Sequence, residues 1–276
     1  MSAVVDDSPV TIDVTRTPTV PFGRLVSIEL RKLFDTLAGR WLVGITLGIL
    51  VVAVVIVVLV AASDDEFTMS LYDWQGMLTF LMSLLLPAIA VTSITQEWGQ
   101  RTGLTTFALE PRRDRVIAAK LTAVVLLALG TLVFATALAA LGNIAVGAVG
   151  GQDVSWSIKG PELGWNLAIQ MAYFLMAFGM GMVFLSTPGA IVAYYVVALV
   201  LPQIVYGAIY VLVSWGPKVI PWLDMRFAVA AYRDEMPPAE GAVPDFGIGP
   251  VLFSFALWVV VPFVVGLWRI RRIELK

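Results

Sequence analysis

The chain has 276 residues, 59% of them hydrophobic and only 14% charged, with a mean hydropathy of +0.88. A water-soluble domain carries about a quarter charged residues, so that class is excluded. There is no Cys and no His, which removes disulfides, thiolate and imidazole metal sites and the commonest general base, and the net charge of −2 matters less than where the charges lie.

Residues 1–21 are polar, carry acids early at Asp6 and Asp7, and read as a disordered cytoplasmic tail. They lack the basic start and short apolar core of a cleavable signal. In residues 22–40, Leu25, Val26, Ile28, Leu30, Leu33, Phe34 and Leu37 recur at near-helical spacing, while Glu29, Arg31, Lys32 and Asp35 fill the other face. This predicts an amphipathic helix lying in the membrane interface. Its simpler role is an anchor; its more specific role is part of a docking surface.

Residues 41–268 read as a six-span domain, with spans at roughly 41–62, 76–95, 116–149, 165–186, 189–213 and 250–268. Each reaches the roughly 20 apolar residues that cross a bilayer, and the third exceeds them. The runs are continuous rather than alternating, which excludes a membrane barrel. The expected fold is an all-α polytopic membrane protein, closed by a basic tail over 269–276.

Of the 18 Lys and Arg residues, fourteen precede span one, follow span six, or lie between spans two and three or at the start of span three. Only Lys159, Lys218, Arg226 and Arg233 fall on the other side. The positive-inside rule then places both termini in the cytoplasm of a cell-membrane protein. The loops 63–75, 150–164 and 214–249 face outward.

Apart from Lys120 near one end, no charged side chain lies inside a predicted span. Ion pumps and proton-coupled carriers use such residues, and membrane enzymes need a nucleophile–base pair, a metal cluster or paired acids. Both readings are therefore poor. No phosphate-binding G-x-x-x-x-G-K-[ST] loop is present, so the chain does not bind ATP in that manner. No catalytic residue, cofactor or metal is expected.

Gly44 and Gly48 form a G-x-x-x-G pair in span one, and Pro87, Pro188, Pro202 and Pro262 lie in or beside spans. Helix packing and helix bending account for these. Asn166, Gln170, Tyr173, Tyr194 and Tyr206 are candidates to line a pathway for an amphiphilic or lipid-like cargo. Interfacial belts and packing are the plainer role. In the loop 214–249, a short re-entrant or interfacial helix is expected around 219–232. A surface hairpin without a role is the alternative.

The segment between spans two and three is longer than a hairpin needs. It runs from Glu97 through Arg101, Thr102, Leu104 and Pro111 to Arg112, Arg113, Arg115 and Lys120. This pattern, with Glu29-Leu30-Arg31-Lys32-Leu33 before span one, resembles the membrane subunit of ABC-2 type ATP-binding cassette transporters. Two positions depart from the family pattern. Arg101 stands where the family has Gly, and the turn Ser186-Thr187-Pro188-Gly189 lacks the family's usual basic residue.

The resemblance implies the permease subunit of an exporter, driven by a separate ABC ATPase subunit. A second permease subunit, identical or related, would complete a dimer in membrane lipid, with no role for nucleic acid. It assigns ATPase coupling to Glu97, Arg101, Thr102, Leu104, Pro111, Arg112 and Arg115, and the interfacial helix to Glu29, Leu30, Lys32 and Leu33. The alternative is a regulatory or assembly membrane subunit that transports nothing.

Overall fold

The structure, a computed structural model, describes residues 20–64, 67–99, 112–150, 154–157, 160–236 and 245–272. Its described elements are all helical. In chain order they are α1 (Phe22–Asp35), α2 (Leu37–Ala61), α3 (Leu71–Gly99), α4 (Arg113–Gly150), α5 (Gly160–Phe184), α6 (Thr187–Leu212), α7 (Gly216–Leu223), α8 (Met225–Tyr232) and α9 (Gly249–Arg272). Six of them, α2 to α6 and α9, are long and apolar enough to cross a membrane, which makes this a multi-pass membrane protein. The six match the expected spans and extend several of them by up to five residues. One end of the bundle gathers the start of α4 and the end of α9, with Arg113, Arg269, Arg271 and Arg272; it is called the basic end below.

The break between α1 and α2 falls at Thr36, so the first helix ends at Asp35 rather than residue 40. Thr36 is extended (φ −79°, ψ 140°), and its hydroxyl accepts from Gly39 N at 3.1 Å, capping α2. Gly39 is needed for this turn, because a Cβ there would lie 2.1 Å from Leu33 O. At the other terminus, helix α9 continues to Arg272, so Arg269, Arg271 and Arg272 are helical rather than tail.

Helix α5 is the most enclosed span, packed on α3 along one side and α9 along another. Glycines permit this approach. A Cβ on Gly181 would meet Ile94 Cγ2 at 2.3 Å, and one on Gly266 would meet Met182 Cβ at 2.4 Å. Small residues at crossings are how membrane helices gain dispersion contact, since lipid offers no hydrophobic drive between helices. Trp74, Leu78, Met82, Leu86, Phe174 and Phe178 fill the core between α3 and its neighbours. A Cβ on Gly44 or Gly48, by contrast, would meet no atom of another helix within 4 Å among the described residues.

Most span hydroxyls bond to their own helix. Thr46, Thr92, Thr95, Thr131 and Thr136 donate to the carbonyl four residues back at 2.8–2.9 Å. Helix α4 runs 38 residues, about 57 Å, without a break. Helix α6 changes pitch: it is α-helical to Tyr195, π-type over Val196–Tyr206, and α-helical again from Gly207. Pro202 lies in the wide stretch, where the missing N–H and bulky ring are accommodated. The start of α3, the end of α4 and the coil at 154–157 are pinned together, since Ser155 O accepts from both Leu71 N and Asn143 Nδ2.

Candidate functional site

Two groups of polar side chains stand out inside the apolar bundle, one at the basic end and one in the opposite half.

The first is a closed ring of four charges. Lys32 Nζ contacts Glu29 Oε1 at 2.8 Å and Glu97 Oε1 at 2.9 Å. Lys120 Nζ contacts Glu29 Oε2 at 2.7 Å and Glu97 Oε1 at 2.9 Å. Each lysine bridges both glutamates, so the signs alternate and the group is neutral. This neutrality allows Lys120 to be only 3% exposed. Burial disfavours the charge on Lys32, but its hydrogen bond to Glu29 and the charges of Glu97 and Glu29 outweigh this and hold its pKa above the ordinary lysine value.

Three elements supply the ring. Helix α1 brings Glu29 and Lys32 one turn apart, α3 brings Glu97 in its last turn, and α4 brings Lys120 in its second turn. The residues between α3 and α4 are 100–112, so the ring clamps both feet of that segment to α1. Glu29 and Lys32 therefore turn toward the bundle, whereas their spacing alone places them on the solvent face with Arg31 and Asp35. Leu33 is buried in the main core and Leu30 packs against it. Val26 meets Ala119 and Ala123 of α4. Glu97 is 8% exposed, so its carboxylate serves the ring rather than an open surface.

The arginines beyond the segment are also engaged. Arg115 Nη2 donates to Val20 O at 2.8 Å, and Arg113 Nη1 donates to Ile270 O at 2.6 Å. Arg271 forks onto Asp114 at 3.0 and 3.1 Å. Arg112 is exposed. Arg101, Thr102, Leu104 and Pro111 lie outside the described residues, as do the tails 1–19 and 273–276. Close by, Thr95 and Thr187 share a 2.6 Å hydrogen bond that joins the end of α3 to the turn between α5 and α6. That turn holds Leu185 at φ 51°. It lacks a basic residue of its own, and Arg269 of α9 supplies one by donating to Val183 O.

The second group includes a buried acid, outside the six spans, that the reading of the spans did not cover. The 214–236 stretch forms two short helices, α7 and α8, that fold into the bundle. Asp224 joins them and is 3% exposed. Its Oδ1 accepts from Arg226 N at 2.9 Å and Phe227 N at 3.0 Å, capping α8. Its Oδ2 accepts from Tyr173 Oη at 2.9 Å. Trp258 Nε1 donates to Leu223 O at 2.6 Å. The hairpin is thus bonded to the middle of α5 and to α9, and it does not lie loose on the surface. Residues 237–244 lie outside the described residues.

Asn166 and Gln170 line one cleft with Thr79, Ser83 and Arg226. Tyr173 and Tyr194 line an adjoining narrow one, which shares Phe80, Ser83 and Arg226. Four of the five candidate pathway residues therefore converge here. Tyr206, in the π-type stretch of α6, lines neither. Asp224 and Arg226 were legible only as an acid and a base flanking an apolar run, with an Asp at the position of a helix cap. Comparison with protein families, with characterised proteins and with solved structures gives no match for this chain.

Proposed function

We propose that this chain is the permease subunit of an ABC-2 type exporter, driven by a separate ATPase. Six spans, the basic clustering of charge and the long segment between spans two and three support the reading. The observation that carries it is the four-charge ring. A partner that moved the 100–112 segment would pull on Glu97 and Lys120 together, and through them on α1, α3 and α4. Such a linkage couples a docking element to helices at the bundle's centre, since α3 packs on α5. In this reading the basic end is cytoplasmic, Arg101, Thr102 and Leu104 meet the ATPase, and Glu97 holds the segment's base. A second permease subunit completes the pathway, and an amphiphilic cargo crosses it outward.

The test is purification of the detergent-solubilised chain from its own host with its bound proteins. A stoichiometric partner carrying a phosphate-loop ATPase sequence, lost on Thr102→Arg, is the expected result. Recovery without any such ATPase, under conditions that keep other membrane complexes whole, would sink the proposal in favour of a regulatory or assembly subunit.

A further inference from the structure

The cleft beneath α8 has the chemistry of an anion site set inside an apolar bundle. It encloses about 250 Å³. Thr79 and Ser83 stand one helical turn apart on α3, and Asn166 and Gln170 one turn apart on α5, so each helix turns two polar groups the same way. Arg226 of α8 completes the lining. Ser83 lies about 18 Å along α3 from Leu71, and Gln170 about 15 Å along α5 from Gly160, at 1.5 Å per residue. The cleft therefore reaches well below the helix ends.

The Ser83 hydroxyl donates to Phe80 O at 2.6 Å, but other donors of the cleft are unspent. Gln170 is 8% exposed, and its amide makes no hydrogen bond among the described residues. The hydroxyl of Thr79 is buried without a partner among them as well. The Arg226 guanidinium makes no contact ion pair among them, although its charge acts on the neighbouring Asp224. Asp224, the adjacent acid, is occupied by the Tyr173 hydroxyl and two backbone N–H groups. Arg226 is exposed where it lines the cleft, and a guanidinium forks readily onto phosphate or carboxylate. Phe80 and Ile169 supply apolar wall beside the polar groups, with Phe80 47% exposed at the opening.

We propose that this cleft binds the anionic head of a single-chain amphiphile, with Arg226 on the phosphate or carboxylate and Gln170, Asn166 and Thr79 on its remaining oxygens. Phe80 and Ile169 contact the first carbons of the tail. The proposal deepens the pathway part of the transporter reading. Binding to the chain itself needs no ATPase, so the two can fail separately.

Three probes separate head from tail: dodecyl phosphate, dodecanol and inorganic phosphate, each titrated into the full-length chain in neutral detergent by thermophoresis. Dodecyl phosphate is expected to saturate, with dodecanol about ten-fold weaker or more for want of a charge-assisted hydrogen bond, and inorganic phosphate about ten-fold weaker or more for want of buried tail carbons. Arg226→Gln is expected to weaken dodecyl phosphate about ten-fold while leaving dodecanol unchanged, and Arg226→Lys to recover most of the loss. Gln170→Leu is a second variant, away from the hairpin, with an expected loss of a few-fold. Equal binding of dodecanol, or unchanged binding by both Arg226→Gln and Gln170→Leu, would overturn the site. Inorganic phosphate binding as tightly as dodecyl phosphate would overturn the amphiphile and leave a free-anion site.

Discussion

Lys120 and Glu29 are 91 residues apart in the chain and 2.7 Å apart in the fold. Their contact closes the ring that fastens α1 to the feet of the 100–112 segment. A buried ion pair adds little net stability over a well-packed apolar pair, but removing one member strands the others. The ring is thus a device of position more than of strength.

Lys120→Met leaves two glutamates facing one lysine that is 41% exposed. It is expected to destabilise the solubilised chain by about 3–5 kcal/mol, the usual cost of stranding a buried charge. Thermal unfolding in detergent measures this. The double variant Lys120→Met with Glu29→Gln should recover part of the loss, because the charges again balance.

Release of α1 has a separate readout. The chain has no Cys, so one introduced thiol reports alone. In a Val26→Cys background, the buried thiol should label slowly with a maleimide. Gly39→Val should raise that rate, because its side chain collides with Leu33 O and forces α1 from α2. Thr36→Ala should raise it less, at a cost of about 1 kcal/mol for a lost cap. Equal labelling in all three would show that the Thr36 turn does not hold α1.

The exposure of that thiol should be insensitive to pH from 7 to 10, once the labelling rate is corrected for the thiol's own ionisation. The Lys32 pKa is raised on folding, so its contribution is fully present below the ordinary value of 10.5 and is lost as pH rises through the higher folded value. The corrected rate in the Val26→Cys background should therefore accelerate only in the alkaline range. Acceleration near neutrality would contradict the ring.

Tyr173→Phe removes one hydrogen bond to Asp224 and should cost about 1–3 kcal/mol, since a buried acceptor is left short. Asp224→Ala loses the cap of α8 as well and should cost more. Hydrogen exchange at Arg226 and Phe227, whose amides bond to Asp224, checks both. The expected order is wild type slowest, Tyr173→Phe faster, Asp224→Ala fastest.

Gly266→Ala should destabilise by about 1–3 kcal/mol, because α9 must move away from Met182. Gly44→Ala should fall within about 0.5 kcal/mol of wild type in the isolated chain, since its Cβ would meet no other helix among the described residues. Thermal unfolding of the two variants side by side measures the difference. A large effect at Gly44 only at high protein concentration would mark that face as a contact between copies.

The six spans were legible in the sequence because crossing a bilayer demands long uninterrupted apolar runs, a one-dimensional property. The helix before span one and the length of the 96–115 segment were legible for the same kind of reason, periodicity and polarity along the chain. Which face of α1 turns inward was not. Glu29 and Lys32 resemble solvent-facing charges until Glu97 and Lys120 arrive from other helices to neutralise them. The loop 214–249 looked like an exterior connection because its charges are outside every apolar run. Only the fold carries Asp224 against α5, where Tyr173 and two amides satisfy the acid, and sets Arg226 on the cleft lined by α3 and α5. Composition therefore determined that this chain lives in a membrane, and tertiary structure decided where its few charges meet, because buried charges are tolerated only by partners distant in sequence and adjacent in space.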